Sequence, residues 1–168
     1  MNYYLSLIGY HGPFNLLILI LIMFSVTKTV HAVYLCIFVI VWQLINIFIN
    51  VVIKNTLKSP RPDSYKNKNF KNLTPTMYNY FDIHRNFGMP SGHAQAVISE
   101  VTFILLYFKR PIITTFSIMQ ACITLWQRYI TRRHSAKQLL VGSIIGIATG
   151  MGFYKMMPII INHIPTNK

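Results

Sequence analysis

A chain of 168 residues that is 53% hydrophobic and only 11% charged is too poor in charge for an ordinary soluble domain, which carries about 25%. Its apolar residues fall in long uninterrupted runs, so the expected class is an all-α, polytopic membrane helix bundle, one domain over residues 1–168. Sixteen Lys/Arg stand against Asp63, Asp82 and Glu100, a formal charge of +13; because the basic residues flank apolar runs, no nucleic-acid partner is expected, and membrane edges with an anionic substrate fit better.

Three scattered carboxylates leave a two-metal hydrolytic centre almost without ligands, and the sequence has no zinc or haem spacing. No metal and no cofactor are therefore expected. Cys36 and Cys122 lie inside apolar runs and read as small core residues.

Residues 1–12 form an aromatic leader without Lys or Arg. It lacks the basic start and the cleavage site of a secretory signal, so the first span, about 13–30, is expected to be retained. A tight turn at Lys28 and His31 leads to a second span, 32–53, close to the roughly 20 residues that a bilayer core requires. Residues 54–89 make the one long polar connection, with Pro60, Pro62 and Pro75 and the aromatics Tyr65, Phe70, Tyr78, Tyr80 and Phe81. A connection of that length serves as a lid or binding loop or is disordered, and its aromatics suggest the lipid interface. The third span covers 91–108, the fourth opens at Pro111 and closes near Arg128, and the fifth covers 135–158. Pro158 and the isoleucines after it either continue that helix or form a re-entrant stub.

Five spans place the end of the second, the start of the third, the end of the fourth and the start of the fifth on one membrane face. Those places hold Lys54 and Arg61, Ser91 and His93, Arg128, and His134. All basic residues except Lys28, Lys109, Arg110, Lys155 and Lys168 fall on that face, eleven of sixteen, which the positive-inside rule would call cytoplasmic. With Lys54, Arg61 and Arg128 assigned to substrate the excess shrinks to eight against five, and charge does not fix the orientation.

Three stretches carry chemistry. In Lys54-Asn-Thr-Leu-Lys-Ser-Pro-Arg61-Pro62, Pro60 should end the second helix near Ser59, with Lys54 in its last turns and Arg61 in the loop. In Gly88-Met-Pro90-Ser91-Gly92-His93, a proline and a small polar residue at a helix start leave backbone N–H groups for an anion. The third stretch is Arg128-x5-His134-x3-Gln138. Lys58, Arg132, Arg133 and Lys137 read as solvated membrane-edge residues. Asp63 reads as a cap of its loop. Glu100, about two turns deeper than His93, reads as a structural hydrogen-bond or ion-pair partner inside the bundle. Gly142, Gly146 and Gly150 continue the four-residue step from His134 and Gln138 and predict a closely packed helix face.

Together and in this order, Lys-x6-Arg-Pro, Pro-Ser-Gly-His and Arg-x5-His-x3-Gln resemble the signature of the PAP2 (type 2 phosphatidic acid phosphatase) superfamily. Gly-Met-Pro-Ser-x-His-x-Gln, from Gly88 to Gln95, is similar to its dolichyl diphosphatase branch. The sequence departs from the common pattern at Gln127, where a serine usually precedes the arginine, and at Gln138, where an aspartate usually follows the histidine.

The resemblance implies a PAP2/vanadium haloperoxidase-like core, a metal-independent hydrolase and a lipid-linked phosphate or diphosphate substrate. It further implies an integral, multi-pass location, in the endoplasmic reticulum or an equivalent internal membrane if the chain is eukaryotic or viral. Dolichyl or a related isoprenyl diphosphate is the expected substrate; a phosphatidate phosphatase and an inactive lipid-binding scaffold are the alternatives. His134 would be the nucleophile, forming a phosphohistidine, and His93 the general acid and base. Lys54, Arg61, Arg128, the Ser91 hydroxyl and the Gly92 N–H would bind phosphoryl oxygens. Gln138, one helical turn after His134, would accept from its ring N–H and fix the tautomer.

Overall fold

The computed structural model describes residues 3–26, 30–62 and 87–163. Asp63, expected to cap its loop, and the aromatics from Tyr65 to Phe81, expected at the lipid interface, lie outside the described residues. The described chain is helical throughout: α1 (Tyr3–Tyr10), α2 (Gly12–Ser25), α3 (Val30–Leu57), α4 (Gly92–Tyr107), α5 (Pro111–Ile130) and α6 (Ala136–His163). Among the described residues the only β pairing is the bridge between Pro60 and Phe87.

The boundaries follow local chemistry. Pro13 and Pro111 occupy first-turn positions of α2 and α5, where a missing N–H costs nothing. Ser91 caps α4, its Oγ accepting from Ala94 N at 3.4 Å. Helix α3 ends at Leu57, with Lys54 in its last turn. Helix α6 continues through Pro158, so the open question at that proline resolves as continuation. Within the leader, Tyr3–Tyr10 form an extra helix, α1, bent 58° from α2.

By length and composition, α3 and α6 can each cross a membrane, and the bent pair α1–α2 adds a third candidate if it counts as one span. Helix α4 has 16 residues and α5 has 20; neither is long and apolar enough to qualify alone. Helix α3 shows large apolar side chains outward, among them Val33, Ile37, Leu44 and Phe48, as a lipid-facing helix must.

Helix α4 is the centre of the bundle and packs most extensively on α6. Three glycines make that approach possible. A methyl on Gly142, Gly146 or Gly150 would stand 2.6, 2.5 and 2.5 Å from the carbonyl oxygens of Ser91, Gln95 and Ser99 respectively. The predicted small-residue face is therefore the α4–α6 seam. Toward the far end the core is aromatic: Phe153 stacks on Trp42 at 5.1 Å and on Phe38 at 4.9 Å and meets Phe103 at 4.3 Å.

Polar side chains fill the α3–α4 contact nearer the motifs. Asn46, Asn50 and Lys54 follow a four-residue step on α3 and are all buried. Gln95 Nε2 donates to Asn46 Oδ1 at 2.7 Å and to Asn46 O at 2.9 Å, while its Oε1 accepts from Asn50 Nδ2 at 2.7 Å. Deeper still, Glu100 Oε1 accepts from Gln43 Nε2 at 2.7 Å, the structural hydrogen bond expected for that carboxylate.

Candidate functional site

The three motifs meet at one end of the bundle and are stitched together by backbone. Ser59 O accepts from Gly88 N at 2.7 Å, joining the first motif to the second across the long connection. Gln138 O accepts from Ser91 N at 3.2 Å, joining the second to the third. Arg61 Nη1 donates to Arg133 O at 3.1 Å, and Gln138 Nε2 donates to Pro60 O at 2.7 Å, closing the ring from third to first. Met89–Pro90 is a cis peptide in the same corner.

The α5–α6 turn sets His134 against Arg128. Thr131 N bonds to Gln127 O at 3.0 Å, Arg132 takes a left-handed φ of 55°, and His134 N returns to Arg128 O at 3.3 Å. His134 is 3% exposed. Its Nδ1 lies 2.9 Å from Gly88 O. A carbonyl can only accept, so Nδ1 carries the proton, and the neutral ring keeps its lone pair on Nε2.

The tautomer is thus fixed by Gly88, and the expected Gln138 contact to the His134 ring is replaced. That expectation treated His134 as helical, but α6 begins at Ala136. Ser135 is its cap: Gln138 N donates to Ser135 Oγ at 3.3 Å, and Ser135 N donates to Gln138 Oε1 at 3.1 Å. This is a capping box, and Ser135-x-x-Gln138 was its signal in the sequence. Gln138 acts on the histidine at one remove, because its amide packs on Gly88, where an added methyl would come within 2.5 Å of Nε2.

Arg128, 5% exposed at the end of α5, points Nη2 at the His93 ring edge, 2.8 Å from Nδ1 and 3.1 Å from Nε2. A guanidinium only donates, so one of these ring nitrogens accepts. Lys54, Ser91 and Gln138 are buried, and Gly92 opens α4 with Asn50 Oδ1 where its side chain would be, 3.1 Å from an added methyl. Arg133 differs from expectation. It is 6% exposed and lies inside the site rather than at a solvated membrane edge, and its carbonyl accepts from Arg61. Lys58, Arg132 and Lys137 are exposed, as expected for edge residues.

A sequence profile described as the PAP2 superfamily matches residues 31–161. The chain belongs to the PAP2 superfamily. It is 31% identical to Dolichyldiphosphatase 1 of Dictyostelium discoideum over 134 residues, 68% of this chain and 52% of that protein. It is 30% identical to Dolichyldiphosphatase of Saccharomyces cerevisiae over 162 residues, 88% of this chain and 61% of that protein. The chain therefore spans about half to three-fifths of the curated relatives it matches. No solved structure gives a significant match.

Of the two departures from the PAP2 pattern, Gln138 forms the capping box and the bond to Pro60, and Gln127 Nε2 reaches Ser6 Oγ on α1 at 3.3 Å. Both glutamines are buried and hydrogen-bonded. Each is a structural member of this PAP2 bundle.

Burial is the first cause that pushes the His134 pKa well below its ordinary value; the charges of Arg61, Arg128 and Lys54 push the same way, and the Gly88 hydrogen bond opposes them. A lowered pKa keeps the ring neutral as pH falls. If neutral His134 is required, the acid limb of kcat/KM should lie well below about pH 6.5, the usual histidine value. Neutralising Arg61 (Arg61→Gln) removes one of those charges and should move the limb toward higher pH. A pH profile of the two proteins measures both.

Proposed function

We propose that this chain is a membrane phosphatase that removes the terminal phosphate of a lipid-linked isoprenyl diphosphate such as dolichyl diphosphate. The observation that carries the reading is the buried His134 with Nε2 as its lone-pair nitrogen, facing a site supplied with Lys54, Arg61 and Arg128 and no carboxylate among its motif residues. The named relatives supply the substrate class.

In the first step the Nε2 lone pair attacks the terminal phosphorus. The bond to the bridging oxygen breaks, and His93, which takes up a proton on its accepting nitrogen once Arg128 has left it for the phosphoryl group, gives that oxygen a proton as an imidazolium, so the lipid monophosphate leaves. In the second step water attacks the phosphohistidine while His93 takes its proton. The P–N bond breaks and inorganic phosphate departs. Arg128 would turn from His93 to the phosphoryl oxygens, with Arg61 and Lys54, so that three cations match the charge spread over the transferred group. The Ser91 hydroxyl and the N–H of Gly92, the first residue of α4, would supply the remaining donors.

Five spans with all three motifs on one face would let the diphosphate enter the site while its tail stays in lipid. The reaction as drawn needs no metal. Purified protein in detergent with EDTA should release phosphate from a polyprenyl diphosphate, and more slowly from phosphatidate. Dependence on a divalent cation would overturn the mechanism. A preference for phosphatidate would replace the substrate, and inactivity on every lipid phosphate would leave a lipid-binding scaffold.

A further inference from the structure

The bent α1–α2 pair lies before the stretch that the superfamily profile matches, yet it is fastened to one face of α5. Gln127 Nε2 donates to Ser6 Oγ at 3.3 Å, and Gln120 Nε2 donates to Ile8 O at 3.0 Å. Gly9 permits the approach, since a methyl there would stand 2.6 Å from Gln127 Cβ and 2.9 Å from Ile123 O. A methyl on Gly12 would overlap Thr124 Oγ1. Gln120, Ile123, Thr124 and Gln127 are three or four residues apart and share that face. The next residue is Arg128.

This seam carries Tyr10, the last residue of α1, to the motif residues. The Arg128 guanidinium carbon lies over the Tyr10 ring, 5.0 Å from its centroid. The same ring is 5.2 Å from the His93 imidazole at an interplanar angle of 55°. Arg128 and His93 also touch each other, Nη2 to Nδ1 at 2.8 Å, so the three side chains form one cluster. An aromatic face attracts a guanidinium and fixes its plane, whereas an arginine at a helix end otherwise has several rotamers to choose among.

We infer that Tyr10 is a positioning residue: its ring keeps the Arg128 guanidinium stacked, with the His93 imidazole beside it, as Nη2 passes from His93 to the phosphoryl group, and the Ser6–Gly9–Gln127 seam holds the ring. The inference rests on the phosphatase reading. It also gives Gln127 a purpose. The serine usual before the arginine is two bonds shorter and would not reach Ser6.

The test uses the full chain in detergent, with steady-state kinetics on a polyprenyl diphosphate and NMR of ¹³C-labelled histidine, the His93 signal being assigned with His93→Gln. Tyr10→Leu should lower kcat about 3- to 30-fold with KM changed less than about twofold, and should shift the His93 ring resonances. Tyr10→Phe keeps the ring face and should restore kcat to within about twofold of wild type, with His93 unshifted. Gln127→Ser, which loosens the seam, should cause a smaller loss in the same direction and decides the matter should Tyr10→Leu not fold. Wild-type kcat and an unmoved His93 in Tyr10→Leu would overturn the inference, as would Tyr10→Phe as slow as Tyr10→Leu. Should the wild type itself release no phosphate, the phosphatase reading fails alone; the His93 shift then still decides whether Tyr10 holds the pair.

Discussion

Alanine at His134 is expected to abolish phosphate release from a polyprenyl diphosphate, by about 10⁴-fold or more, while leaving the protein folded. In the proposed reaction nothing else supplies the attacking lone pair. The Nδ1 bond to Gly88 O, 2.9 Å long, is the main native contact at stake, and such bonds contribute about 1 kcal/mol net. The variant should therefore purify like wild type. Rapid quench with substrate labelled in the terminal phosphate gives a second reading of the same residue. Wild type should carry acid-labile, alkali-stable label, and His134→Ala should carry none. Full turnover by the variant would remove His134 as nucleophile, and labelling without His134 would move the covalent step to another residue.

The helices were legible because their signals are local. Apolar runs gave the five long elements, and Pro60 and Pro111 marked ends and starts that the structure places within a few residues. Meeting of the motifs was legible too, since it needs only alternation of spans and the order of the motifs. Contacts between distant residues were not. Arg133 looked like half of an exposed pair with Arg132, but it is buried and its carbonyl holds Arg61, 72 residues away. Tyr10 looked like one aromatic of a leader, and its meeting with Arg128 depends on the Gly9 seam. The Asn46–Gln95–Asn50 clamp had a visible trace in the four-residue step of polar residues along α3, which the apolar count concealed. Gln138 is the instructive case. Ser135-x-x-Gln138 is a local signal, but counting His134 as helical put the glutamine on the wrong partner. Two residues of helix boundary separated an orienting amide from a cap.

Leucine at Gly146 is expected to cost the fold, and alanine there to cost part of it. A methyl at this position would sit 2.5 Å from Gln95 O, 3.0 Å from Ile98 Cβ and 3.1 Å from Ser99 N. Two of those atoms are backbone, so no side chain can swing away and the helices must separate. Overpacking by a methyl costs about 1–3 kcal/mol, and a branched side chain should exceed that. Substituting Ile144, which is 57% exposed on the same helix, by alanine should change stability by about 0.5 kcal/mol or less. Denaturation in mixed micelles can rank the three. Activity should fall with stability in Gly146→Ala for a geometric reason. The seam that holds Gly146 against Gln95 also holds Gly142 against Ser91, and Gln95 is the residue that clamps α4 to Asn46 and Asn50 on the helix that carries Lys54. Pushing α6 away from α4 therefore moves His134 and Gln138 relative to Ser91 and His93. A Gly146→Ala protein with wild-type stability would show that the helices are not in contact here, and one with wild-type activity but reduced stability would show that the seam does not set the geometry of the site.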